Sequence, residues 1–396
     1  MRAYLDNNAT TQPTPEVVDA VREALEGEWA NPSSVHREGQ LARRRVELAR
    51  ASIASLIEAK PRDVLLCSSG TESIDLAIRG VLGARADAAT PCAIVTTAIE
   101  HAAVRDLTSA LAREQDVEIR LAPLDAHGVL DTDAIAGLLD DSVALVSVQW
   151  ANNETGAIHP AGRIGELCRA RSIPFHCDAV QMVGKMPVDV RAPEGPAFDL
   201  LTLSAHKLHG PKGVGGLWVR PTVGVRPVVH GAQELGRRGG TENVPGIAGA
   251  GVAAEQARAW LADDAERARL GVLRDRLESR ILERVPGTVV NGPREHGARL
   301  WNTTNIALPG LEAEAILMVL SDLGVAASAG AACSSGSLDP SPVLLAMGVD
   351  ERVAHGSVRL SLSRFTTEAE AEHAVGAFAA AAERLGFAPT PPAGGR

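Results

Sequence analysis

The chain has 396 residues, 45% of them apolar and only 3% aromatic, so its core must be built from Ala, Val, Leu and Ile. That length suits one large domain with a smaller companion. A formal net charge of −10 speaks against nucleic-acid or anionic-membrane binding as the main activity, and no apolar stretch is long enough to span a bilayer.

The chain opens on Met1-Arg2-Ala3-Tyr4 with no apolar leader, which predicts a cytoplasmic protein. Asp6-Asn7-Asn8-Ala9-Thr10-Thr11 reads as a polar loop leading into a helix over 16–26. Trp29-Ala30-Asn31-Pro32-Ser33-Ser34 is a second polar turn, with Ser33 or Ser34 expected to cap a helix that ends near Ile57. Strands and helices then alternate: strand 63–67 with helix 72–83, strand 92–97 with helix 102–114, strand 143–150 with helix 163–171. Further strands are expected at 174–177, 200–204 and 216–219. Alternation with continuous apolar strands means an α/β fold, a parallel sheet covered on both faces. Ligands in such sheets bind at the carboxyl ends of the strands. The stretch 248–285 is strongly helical, and a new group of elements follows, at 304–308, 313–322 and 358–361. The expected division is a large domain over 13–255 and a smaller α+β domain from 1–12 plus 256–387. Residues 388–396, rich in Pro and Gly, read as a frayed tail.

Chemistry gathers at the ends of the strands. The apolar run from Leu200 stops at Ser204-Ala205-His206-Lys207, and Gly210-Pro211-Lys212-Gly213 cannot continue it. An isolated loop lysine is most simply solvated, but at the end of a buried strand its ammonium is costly unless paired or covalently bonded. A Schiff base to pyridoxal phosphate would remove that cost. Ser68-Ser69-Gly70-Thr71-Glu72 opens a helix after another strand, where backbone N–H groups and the helix dipole suit a phosphate. Glu100-His101 follows a third strand, and the amide-rich Ala151-Asn152-Asn153-Glu154-Thr155-Gly156 a fourth. Asp178, with Gln181 three residues on, ends a fifth. An Asp buried there needs a cation, and a protonated pyridine nitrogen is one that also makes the ring an electron sink.

Five cysteines (Cys67, Cys92, Cys168, Cys177 and Cys333) are scattered with no CxxC pair, which predicts neither a disulfide framework nor a metal site. Four lie in apolar or helical contexts and read as inert small hydrophobes. Cys333 instead sits in the run 326–337, made of Ala, Gly and Ser and expected to be mobile.

These blocks, with Tyr4–Thr11, Asn31-Pro32-Ser33-Ser34, His176–Gln181, Ser204–Gly213, Gly239-Gly240-Thr241-Glu242-Asn243 and Val358–Ser363, resemble the cysteine desulfurases of the fold-type I, class V aminotransferase group of pyridoxal-phosphate enzymes. The resemblance spans nearly the whole chain. It implies a mainly parallel sheet flanked by helices, with a smaller α+β domain carrying the cysteine loop. It gives Lys207 the cofactor and the α-proton, and has His101 stack on the ring and assist proton transfer. Asp178 would pair with the ring nitrogen and Gln181 with the ring hydroxyl. Gly70, Thr71, Ser204 and His206 would hold the phosphate, joined by Thr241 from a second subunit of a homodimer. Asn153 would lie at the cofactor and, with Asn31 and Arg359, bind the carboxylate of L-cysteine, Arg through its bidentate fork.

Cys333 would be the nucleophile that takes the substrate sulfur as a persulfide, on a loop resembling the long-loop subgroup that serves iron–sulfur assembly and tRNA thiolation. The partner implied is a sulfur-acceptor protein. A selenocysteine lyase or another class V lyase or aminotransferase is the enzymatic alternative, though an aminotransferase has no use for a mobile Cys333. A non-catalytic assembly subunit would be expected to lack Lys207 or Asp178, and both are present. Ser69, Ile74-Asp75 and Gln149-Trp150 depart from the family pattern; Asp75 would weaken cofactor binding if it pointed at the phosphate.

Overall fold

The computed structural model describes residues 1–85, 92–192, 197–295, 297–329 and 339–388. Its strands are β1 (Ala3–Tyr4), β2 (Val64–Cys67), β3 (Ala93–Thr96), β4 (Glu118–Leu121), β5 (Val143–Gln149) and β6 (Phe175–Asp178). They continue with β7 (Leu200–Ser204), β8 (Gly215–Val219), β9 (Val289–Asn291), β10 (Thr303–Ala307), β11 (Val325–Ala326) and β12 (Ser357–Ser361).

Seven strands form the main sheet in the order β2-β8-β7-β6-β5-β3-β4. From β4 to β7 all pairs are parallel, but β8 runs antiparallel to both β7 and β2. The sheet is therefore mostly, not wholly, parallel. The link from β7 to β8 is a short turn, which permits an antiparallel return and not a crossover helix. Both faces are buried because successive side chains point opposite ways. Leu201 and Leu203 pack with Val46, Ile53 and Ile247 on one face, while Leu200 packs with Leu65, Ile78 and Leu217 on the other. A further apolar group gathers Leu5, Leu277, Ile306, Leu360 and Phe378 around the antiparallel sheet β12-β10-β9. Edge strand β4 escapes an apolar-run reading because its residues Glu118 to Leu121 are exposed or half-buried.

Two boundaries differ from expectation. The helix Arg37–Leu56 is capped by His36, whose Nδ1 accepts the Gly39 N–H, and not by Ser33 or Ser34. Those serines belong to a preceding turn, in which Asn31 Oδ1 accepts from Ser33 N and Asn31 O from Ser34 N. The turn lies against the helix so closely that a Cβ on Gly39 would meet Ser34 O at 2.6 Å. The helical stretch after Val244 is two helices, Val244–Leu261 and Asp264–Arg284, divided where the Asp263 side chain accepts the Glu266 N–H. None of the described helices is long and apolar enough to cross a membrane.

A chain of hydrogen bonds crosses the sheet beneath the strand ends. Ser147 Oγ bonds His176 Nδ1, His176 Nε2 bonds Thr202 Oγ1, and Thr202 Oγ1 bonds Ser73 Oγ, each at 2.9 Å. Ser73 Oγ also bonds Gly216 O, which ties the helix Gly70–Gly83 to β8. Burial holds His176 neutral, its pKa lowered to about 3, and His159, likewise fully buried, is lowered to about 4. Both values lie below that of the unfolded chain, so the unfolded state binds the extra protons. Their stabilising contribution is complete above about pH 6.5 and is lost as the pH falls toward 4, at roughly 1.4 kcal/mol per pH unit for each group. Thermal denaturation followed from pH 7.5 to 5 is expected to show the melting temperature falling steadily below about pH 6.5.

Candidate active site

The carboxyl ends of β5, β6 and β7 open into a cavity of about 340 Å³ lined by Lys207, Asp178, His101, Ser204, Gly70 and Arg359, among others. Larger concavities exist. A groove of about 810 Å³ lies beside Arg50 and Glu234, but those charges are already paired, with Arg50 Nη1 2.6 Å and Nη2 2.8 Å from the carboxylate.

Lys207 ends the short turn that follows β7, and its Nζ donates to Asn8 O at 2.7 Å and Ala9 O at 2.8 Å. Asp178 ends β6 and is 6% exposed, with Val180 N–H donating to its carboxylate at 3.0 Å. Burial raises its pKa, opposed by the charges of His101 and Lys207. Among the described residues Asp178 makes no ion pair. His101 caps the helix Ala102–Gln115, its Nδ1 accepting the Ala103 N–H at 3.1 Å, so the proton of the neutral ring lies on Nε2. His206 is bonded through Nδ1 to Thr10 Oγ1, and burial together with Lys207 lowers its pKa to about 4. Arg359, on β12 and 1% exposed, donates from Nη2 to Asp6 Oδ1 at 2.7 Å and from Nη1 to Asn153 O at 3.1 Å. Thr71, Asn153 and Gln181 also line the cavity.

Two candidates lie elsewhere. Asn31 is exposed and holds its own turn, and Thr241 is exposed on the segment before the helix Val244–Leu261; neither lines this cavity. Cys333 falls in 330–338, outside the described residues. On its amino side Ser328 exchanges main-chain hydrogen bonds with Arg359, and on its carboxyl side Ser341 Oγ donates to Glu154 at 2.6 Å. Of the other cysteines, Cys67, Cys168 and Cys177 are buried, and burial pushes their thiols up, Cys168 to about 12. Asp75 pairs with Arg79 at 3.0 Å and does not line the cavity, so its charge is directed away from the phosphate position, while Ile74 and Gln149 do line it.

The sequence gives no role to Asn8, Lys185 or Glu100. Asn8 is a hub. Its amide nitrogen donates to Asn153 O and Thr303 Oγ1, its amide oxygen accepts from Lys185 and Asn302, and its carbonyl accepts from Lys207 and Gln181. The only signal was its place in the polar loop Asp6–Thr11. Glu100 is fully buried, accepts from Thr97 Oγ1 and Gln149 N, and has its pKa raised to about 8 by burial. Among the described residues no group of three His, Cys, Asp or Glu is gathered for a metal ion.

Does this cavity suit a pyridine ring bearing a phosphate? Ser204 Oγ is buried, lines the cavity and, among the described residues, has no hydrogen-bond partner, an arrangement that costs about 1–3 kcal/mol unless a ligand supplies one. A Cβ on Gly70 would lie 3.1 Å from Val180 Cγ2 and 3.5 Å from Ser204 Cβ, filling the space at the start of the helix. That helix N-terminus presents backbone donors to an anion. The unpaired Asp178 carboxylate calls for a cation, which a protonated ring nitrogen provides. The donor set fits. Ser204→Ala is expected to weaken pyridoxal phosphate binding by about 10- to 100-fold, while the melting temperature of the cofactor-free protein stays level or rises. A titration of cofactor fluorescence and a melting curve check the two halves.

The class-V aminotransferase family model matches residues 3–373. A cysteine desulfurase of Cereibacter sphaeroides is 45% identical over 372 residues, covering 93% of this chain and 92% of that protein. The solved structure of a NifS-like protein superposes with a TM-score of 0.87 at 33% identity, covering 98% of this chain and 100% of the other. The structure of SspA in complex with cysteine is similar at TM-score 0.78 and 30% identity, over 92% and 100% of the two chains.

Proposed function

Since the chain belongs to the class-V aminotransferase family and is a cysteine desulfurase, we propose that it uses the cavity at Lys207 to strip sulfur from L-cysteine and passes it on as a persulfide of Cys333. The observation that carries the reading is the convergence on one cavity of Lys207 with Asp178 and Ser204 Oγ, which among the described residues lack an ion-pair partner and a hydrogen-bond partner respectively.

In this reading Lys207 would hold pyridoxal phosphate through Nζ, Asp178 would serve its ring nitrogen, Gln181 its ring hydroxyl, and Gly70, Thr71, Ser204 and His206 its phosphate. When bound, it supplies an electron sink for charge developing on the substrate α-carbon. The Lys207 amine would remove the α-proton of the substrate and later return a proton to the product. Its two carbonyl partners, Asn8 O and Ala9 O, keep Nζ at the strand end between these transfers. His101, with its proton on Nε2, would stack on the ring and assist proton transfer. Arg359 and Asn153, which line the cavity, orient the substrate carboxylate, and Asn31, which does not line it, has no part in this. The Cys333 thiolate attacks the substrate sulfur: the new S–S bond forms as the C–S bond breaks, and the electron pair of that bond, with a proton, ends on the carbon of L-alanine. The atoms balance as cysteine plus thiolate giving alanine plus persulfide.

The exposed Thr241 has a natural role in completing the phosphate site of a second subunit, which makes the working form a homodimer. The persulfide then goes to an acceptor protein, an iron–sulfur scaffold or a thiolation enzyme. Incubating the protein with L-cysteine and a thiol reductant is expected to give alanine and sulfide in equal amounts. Turnover confined to L-selenocysteine would favour a selenocysteine lyase, and an amino-group transfer product in place of alanine would refute the reading.

A further inference from the structure

Behind the cavity lies a second amine. Lys185 is 5% exposed and, among the described residues, makes no ion pair. Its Nζ donates to two neutral oxygens only, Asn8 Oδ1 at 2.8 Å and Gln181 Oε1. Two acceptors match the two N–H groups of an uncharged amine, and burial, with Lys207 and Arg359 nearby, pushes this amine well below its ordinary pKa.

The same contacts fix the neighbouring amide. Gln181 Nε2 donates to Asn8 O at 3.1 Å, while Oε1 accepts from Lys185. Flipping the carboxamide would set its NH₂ against an amine donor and its oxygen against a carbonyl, losing both bonds. One N–H of Nε2 is used by Asn8 O, so the donor Gln181 has left to give the cavity it lines is the second N–H.

We propose that Lys185 is a positioning residue, which locks the Gln181 carboxamide so that its nitrogen, and not its oxygen, serves the cofactor's ring hydroxyl. This rests on the reading of the cavity as a pyridoxal-phosphate site. The contact matters because an N–H donated to the ring oxygen favours the anionic form of the bound chromophore. Among the described residues the charged and titratable groups facing the cavity are Lys207, Asp178, His101, His206 and Arg359 with its partner Asp6; the variants below leave all of them in place.

The test is a pH titration of the visible absorption band of the holoenzyme, a readout independent of turnover. Lys185→Met and Gln181→Ala are each expected to raise the midpoint by about one pH unit, a tenfold change in the proton equilibrium. The double variant is expected to shift no further than Gln181→Ala alone. Lys185→Gln, which keeps an N–H donor, is expected to stay nearer the native midpoint. A shift in Gln181→Ala without one in Lys185→Met overturns the role of Lys185, as does a Lys185→Met shift that persists undiminished on top of Gln181→Ala. No shift in Gln181→Ala overturns the placement of Gln181 at the ring and the proposal with it. Should Lys185→Met not fold, Lys185→Gln decides: a native midpoint supports the donor role, and a shift equal to that of Gln181→Ala overturns it.

Discussion

Replacing Lys207 by alanine is expected to lower alanine formation from L-cysteine by about 10³- to 10⁴-fold or more, and to let the cofactor wash out on dialysis. The effect is large because, in the proposed reading, one amine does two tasks, tethering the cofactor and moving the α-proton. It is also separable from folding. Lys207 is half-buried and gives up two hydrogen bonds to main-chain oxygens, each worth about 1 kcal/mol net, and Asn8 O keeps its bond from Gln181. A variant that melts normally, loses its colour and is inactive fits this account. A coloured, active Lys207→Ala protein would remove its foundation.

Cys333→Ser is expected to abolish sulfide release while leaving the visible band of the holoenzyme intact. A serine hydroxyl is far less ionised than a thiol near neutral pH and forms no persulfide. The remaining cysteines offer no substitute. Cys67, Cys168 and Cys177 are buried with their thiols pushed up. Cys92 is half-buried but precedes β3, at the opposite end of the sheet from the cavity. Retained sulfide release by Cys333→Ser would move the nucleophile elsewhere.

Lys207, Asp178 and His101 were readable because each follows an apolar run that can only be a buried strand, and strand ends of one sheet meet. Helix starts were less readable: His36 displaces Ser33 and Ser34 as a cap because the serines are bound into a turn set by Asn31. The direction of β8 depends on the brevity of its link to β7, a matter of topology that an apolar pattern does not carry. Asp75 was ambiguous in the chain and is settled by Arg79 one helical turn away. Lys185 and Asn8 were invisible as partners. Their hydrogen bonds join the N-terminal loop to the turn after β6 and to β10, and no periodicity in the sequence connects such distant segments. Asn8 also illustrates why a polar loop can be indispensable, since its amide and carbonyl together accept a hydrogen bond from each amine of the site.

The central claim is that sulfur leaves cysteine for a thiol of this chain. It is tested most directly by mass spectrometry of the holoenzyme after incubation with L-cysteine in the absence of reductant. The account predicts a peptide containing Cys333 heavier by one sulfur atom, with one alanine released per persulfide formed. Alanine released with every cysteine, Cys333 included, left unmodified would contradict it.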